Sequence, residues 1–186
     1  FGIDKPDSGS IRVAEQEMSG VSVAQFRAHK VALIPEDRYL TGSAKTATLS
    51  ENILMGSEGQ GKFCSRGVIK WNKVRDFSRE ILEQFSVSCK GPEQTIGELS
   101  GGNAQKVIVA REMTRDASFY IAYEPTRGID IGAIDFIHNK LLEKRVQGAG
   151  ILLVSSELTE IMSLSDRIYV MHNGRINGEF LRGAID

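Results

Sequence analysis

Phe119-Tyr120-Ile121-Ala122-Tyr123-Glu124-Pro125-Thr126-Arg127-Gly128-Ile129-Asp130 is the stretch on which the reading of this chain turns. Its first four residues form a short apolar run of the kind that a parallel sheet buries on both faces. The run delivers Tyr123 and Glu124 at its carboxyl end, and open α/β sheets bind ligands beyond the carboxyl ends of their strands. Asp130 can N-cap a following helix whose stripe is Ile134, Ile137, Leu141 and Leu142. Gly148 and Gly150 are expected to end that helix. Ile151-Leu152-Leu153-Val154 reads as the next buried strand, with a short helix from Glu157. Strands and helices that alternate in this way predict an α/β layered core.

Working outward, Leu99-Ser100-Gly101-Gly102-Asn103 opens a helix that runs to Met113, with Val107, Ile108 and Ala110 inward. A helix start presents unpaired N–H groups and a partial positive charge, which suits a phosphate. The two glycines let the backbone approach closely, and Ser100 adds a hydroxyl. A Ser N-cap followed by a glycine turn accounts equally well for these five residues taken alone. Similarly, Glu124 reads either as a carboxylate that orients or deprotonates a water or as a strand-end Glu facing solvent.

Further upstream, the turn signal Lys5-Pro6-Asp7-Ser8-Gly9 feeds a strand candidate from Ser10 to Ala14. A second strand, Val31-Ala32-Leu33-Ile34, stops at Pro35, which cannot donate to a ladder. Residues 56–62 read as a flexible connection. Val74, Phe77, Ile81, Leu82 and Phe85 recur at helical spacing and predict an amphipathic helix over 71–86. Lys70, Lys73, Arg75 and Arg79 read as its solvated face. At the tail, Asn173-Gly174 lies between Ile168-Tyr169-Val170-Met171 and Arg175-Ile176, a strong hairpin signal.

The composition is that of one soluble domain: 186 residues, 41% hydrophobic and 25% charged, with net charge -1. That balance disfavours nucleic acid as a partner, which calls for a basic excess or a clustered basic face. Cys64 and Cys89 match no metal spacing and read as reduced thiols. His29, His138 and His172 match no zinc spacing and read as surface or packing residues. No apolar stretch approaches the roughly 20 residues that span a bilayer. No signal peptide is recognised at the start, which lacks an initiator Met; the chain reads as a piece of a longer protein.

Taken together the motifs resemble the ATP-binding-cassette (ABC) family over essentially all 186 residues. Leu99 to Asn103 looks like its signature motif, Phe119 to Glu124 like the Walker B strand with the catalytic Glu124, and Arg127-Gly128-Ile129-Asp130 like the D-loop. Glu36, in Ile34-Pro35-Glu36-Asp37-Arg38, falls at the Q-loop, and Ser156, in Val154-Ser155-Ser156-Glu157, at the switch loop. The resemblance implies a P-loop NTPase-like α/β core, formed by residues 1–48 and 114–186, and a helical subdomain over 49–113 that carries the signature. It implies ATP and Mg²⁺ as ligands of the intact protein, which acts as a transport ATPase. Its partners would be a second cassette, transmembrane permease subunits and, indirectly, a solute-binding protein. The place of action would be the cytoplasmic face of the bacterial inner membrane, where the chain sits peripherally. The wording of residues 125–130, 35–38 and 155–158 is similar to bacterial sugar and nucleoside importers with two fused cassettes, of which this resembles the second. Residues 133–138 lean toward the nucleoside branch. A non-catalytic dimerisation or regulatory cassette and a non-transport ABC ATPase are the alternatives.

The chain also departs from that family. No Gly-x-x-x-x-Gly-Lys-[Ser/Thr] loop occurs in it, and the resemblance places that strand, loop and helix just upstream of Phe1. The 186 residues alone are therefore expected to be inactive and to bind no ATP tightly. Tyr123 stands where the family has a Walker B Asp, and a phenol is a poor ligand for a hard cation; no metal ligand is assigned. Ser156 stands where the switch loop has a His, and Glu36 replaces a Gln. The chain's own Walker site is thus expected to be degenerate. The signature is intact and is expected to complete the partner cassette's ATP site.

Overall fold

The computed structural model describes residues 1–58 and 61–182. Gly59 and Gln60, inside the expected 56–62 connection, lie outside the described residues. The fold is α/β. In chain order it runs β1 (Arg12–Val13), β2 (Gln16–Glu17), α1 (Val23–Ala28), β3 (Val31–Ile34), α2 (Leu49–Leu54), β4 (Cys64–Ser65), β5 (Val68–Ile69), α3 (Trp71–Gln84), α4 (Gly101–Met113), β6 (Phe119–Tyr123), α5 (Ile131–Val146), β7 (Gly150–Val154), α6 (Leu158–Leu164), β8 (Arg167–His172) and β9 (Arg175–Leu181).

Three strands form a parallel sheet in the order β3-β6-β7. The apolar runs place them there: Ala32 and Ile34 on β3 and Tyr120 and Ala122 on β6 are fully buried. Burial also pushes the Tyr120 phenol up to about 12, helped by the charges of Asp116 and Glu112. α4 lies against β3, α2 and α5. Ten of its thirteen residues are buried, Gln105, Arg111 and Glu112 included, so it is a central helix without a polar face. The expected inward set of Val107, Ile108 and Ala110 holds but is too small. One continuous apolar cluster joins Ile34, Ile53, Ile81, Val107, Tyr120 and Ile137. α3 turns Val74, Ser78, Ile81 and Leu82 inward and shows Arg75 and Arg79 to solvent, where they pair with Glu93 and Asp76. The tail forms the expected hairpin of β8 and β9 around Asn173-Gly174.

Two expectations need correction. Gly150 does not end a helix: α5 stops at Val146, Gly148 follows at φ +91°, and Gly150 is the first residue of β7. Nor is β7 buried on both faces. Leu152 is 49% and Val154 43% exposed, because nothing described covers that face of the outer strand β7. Leu158 and Met162 on α6 are exposed apolar residues as well. An unpaired edge beside exposed apolar side chains invites association. The isolated chain is therefore expected to melt low or to self-associate, as sedimentation and a thermal scan would show. A monomer with Tm above about 65 °C would contradict this.

Candidate functional site

The sheet register brings three loops to one edge. Ile34 pairs with Ala122 and Tyr123 with Val154, so Pro35-Glu36, Tyr123-Glu124 and Ser155-Ser156 leave their strands side by side. Glu124 sits at φ +46°, a left-handed conformation that costs a non-glycine residue on the order of 1–3 kcal/mol. Two contacts hold it there: its amide donates to the Val154 carbonyl at 2.8 Å, and its Oε1 accepts from the Ser156 amide at 2.8 Å. Glu124 is thus not a free strand-end carboxylate but one fixed by the segment that follows β7. Beside it, Glu36 accepts from Arg127. A hydrogen bond to Glu36, then the charge of Glu36, raises the Tyr123 phenol above its usual range.

The turn before α4 lies on the surface. Ser100 is exposed and caps the helix, its Oγ accepting from the Asn103 amide at 3.4 Å and from Asn103 Nδ2 at 3.0 Å. Asn103 Oδ1 in turn accepts from the Ser88 amide at 2.8 Å. The first amides of α4 have no intrahelical acceptor. Asp130 caps α5 through the Ala133 amide at 3.0 Å, as expected, and its other oxygen presses on Gly102. A Cβ at residue 102 would lie 2.5 Å from Asp130 Oδ2 and 3.1 Å from Ala133 Cβ. Gly102→Ala is therefore expected to destabilise the chain by about 1–3 kcal/mol, read by denaturant unfolding; an unchanged midpoint would mean that Asp130 yields freely.

Two side chains that the sequence did not single out join the signature turn to the 125–130 loop. Arg38 donates to the carbonyls of Arg127 at 2.8 Å and Gly128 at 3.1 Å, and its guanidinium lies against Gly101. Gln105, buried on α4, donates to the Pro125 carbonyl at 2.8 Å. Asp37 shapes the preceding turn by accepting from the amides of Leu40 and Tyr39, which hold its carboxyl below the usual range. The structure thus places Glu36, Tyr123, Glu124 and Ser156 at one sheet edge. It connects Leu99 to Asn103 with that edge through residues 125–130.

Two buried acids were also missed. Glu112, fully buried, meets Arg111, Arg115 and Arg27. Glu160 meets Thr126 and His138. No signal in the sequence distinguishes these acids from exposed helix residues. A cleft of about 860 Å³ opens beside the edge, walled by Leu33, Pro35, Leu40, Tyr123, Arg27 and Arg111.

Comparison with known proteins places these features in context. The family model described as "ABC transporter" matches residues 1–127. The chain is 38% identical over 177 residues to the nucleoside import ATP-binding protein NupA of Lactococcus lactis, covering 95% of this chain and 35% of that protein. It is 37% identical over 183 residues to the ribose import ATP-binding protein RbsA of Pseudomonas putida, covering 98% of this chain and 35% of that protein. The chain therefore spans about a third of the length of these relatives. Among solved structures, a dimeric ATP-binding cassette bound to ADP and Pi superposes with a TM-score of 0.79 at 19% identity, over 96% of this chain and 75% of that one. A nucleotide-free cassette of an ABC transporter gives 0.76 at 22% identity, over 97% of this chain and 72% of that one. The fold is that of an ATP-binding cassette.

Proposed function

The chain belongs to the ABC transporter family, and from that premise we propose that it forms part of the ATP-hydrolysing motor of an importer for a sugar or a nucleoside. In this reading it acts at the cytoplasmic face of the membrane beside transmembrane permease subunits. Its signature turn completes an ATP site whose phosphate loop belongs to a second cassette. The names of its relatives, nucleoside and ribose import ATP-binding proteins, support the solute class. The observation that carries the reading is the surface position of Ser100 at the start of α4, tied through Arg38 and Asp130 to the loop that leaves Glu124. Ser100 Oγ and the amides of Gly101 and Gly102 form a donor set suited to a terminal phosphate.

The chain's own Walker edge has a different character. Tyr123 stands beside Glu36, which raises its phenol above its usual range, and Glu36 is already paired with Arg127. Mg²⁺ prefers carboxylate and water oxygens in near-ideal octahedral geometry, and these residues do not fit it. In our reading the pair of sites is asymmetric: one competent site completed by this signature, one weak site here. The same Tyr123–Glu36–Arg127 arrangement favours a second reading, a cassette half that serves dimerisation or regulation and turns over nothing itself.

The test is ATP-driven uptake by the intact transporter in membrane vesicles, with nucleosides and sugars offered in turn. Uptake of one class is expected. ATP hydrolysis without uptake of either class would contradict the importer reading.

A further inference from the structure

α6 has one buried residue, while Leu164 packs at the margin of the core and the Ser163 carbonyl accepts from Arg182. Leu158 is 64% and Met162 42% exposed, and only Glu160 is buried, with 4% of its surface accessible. A carboxylate there is costly unless hydrogen-bonded. Its Oε1 accepts from Thr126 Oγ1 at 2.9 Å and faces His138 Nε2 at 2.7 Å. Thr126 donates to it, and His138 does so in the tautomer that carries its proton on Nε2. Thr126 is 7% exposed, and Glu160 Oε2 has no partner among the described residues. Three elements meet at this carboxyl: the loop after β6, α5 and α6.

The cluster stands between two parts of the candidate site. α6 begins directly after the Ser155-Ser156 segment, and the Ser156 amide is bonded to Glu124. Thr126 lies two residues beyond Glu124, in the loop whose carbonyls are held by Gln105 and Arg38. We propose that Glu160 is a positioning residue: by clamping α6 to Thr126 and His138 it keeps the Ser156 amide on Glu124 and holds the 125–130 loop against the signature helix. The geometric claim is independent of the transport reading; its consequence for ATP turnover rests on that reading.

Hydrogen exchange on the full 186-residue chain reads the clamp directly, with the Tyr120 and Ala122 amides of β6 reporting global opening. Thr126→Val removes the hydroxyl at constant shape and Thr126→Ser restores it. In Thr126→Val the Ser156 amide is expected to exchange about tenfold faster relative to β6, the worth of one hydrogen bond to a charged group. Thr126→Ser should return it to within about twofold. Equal relative protection in Thr126→Val and the native chain would overturn the proposal. Should Thr126→Val open the whole chain, His138→Phe removes the other donor and must give the same selective loss, or the proposal fails.

In the intact protein, Thr126→Val is expected to lower kcat for ATP about tenfold at nearly constant KM, through the 125–130 loop held against the signature helix rather than through Glu124, with rescue by Thr126→Ser. A rise in KM alone would overturn the positioning role. Ser100→Arg serves as the separate control: if it leaves ATPase intact, the proposed function fails while the exchange result still stands.

Discussion

Ser100→Arg is expected to lower ATP hydrolysis by the intact protein at least about 100-fold, the usual cost of losing a donor aimed at developing charge. Glu124→Gln in the same protein is expected to cost less than about tenfold. The difference follows from which nucleotide each residue serves. Ser100 is exposed at the helix start, where a long cationic side chain would fill the space of a phosphate and cover the first amides. Glu124 lies at an edge where a phenol, Tyr123, stands beside Glu36 and Glu36 is paired with Arg127. A site built that way contributes little turnover, so neutralising its carboxylate removes little. Equal losses in the two variants would contradict the asymmetry.

Glu112→Ala is expected to destabilise the chain by about 3–5 kcal/mol, the range for breaking a buried ion pair from one side. The Glu112 side chain is fully buried, 2.8 Å from Arg111 Nε, 3.2 Å from Arg115 Nε and 3.7 Å from Arg27 Nη1. Burial already lowers the Arg115 pKa, and Glu112 is the largest influence opposing that. Without the carboxylate, three guanidiniums crowd one site between α1, α2 and α4, and Arg115 still carries the Met55 and Gly56 carbonyls. Against a total stability of about 5–15 kcal/mol, that loss is a large share of what keeps the chain folded. Denaturant titration measures it, and a loss under about 1 kcal/mol would show that the arginines are satisfied without Glu112.

Local signals and long-range contacts were not equally legible in the sequence. The run Phe119 to Ala122, the Asp130 cap and the Asn173-Gly174 turn are written within a few residues, and the structure forms each of them. Sheet order was only implied, and the exposure of Leu152 and Val154 was missed because an apolar run does not say whether a neighbour covers it. The links that assemble the site span long separations: Arg38 to Gly128 is 90 residues, Thr126 to Glu160 is 34 and Arg115 to Met55 is 60. Each uses a polar residue whose spacing matches an ordinary solvated helix or loop. Gly102 was legible as a glycine of close approach, but the atom it approaches, Asp130 Oδ2, was not.

The most direct measurement is a structure of the intact protein with a non-hydrolysable ATP analogue bound at both sites. The terminal phosphate held by the other cassette should lie within hydrogen-bond reach of Ser100 Oγ and the first amides of α4. A phosphate bound by the second cassette with the Ser100 turn facing solvent, several ångströms away, would contradict the account.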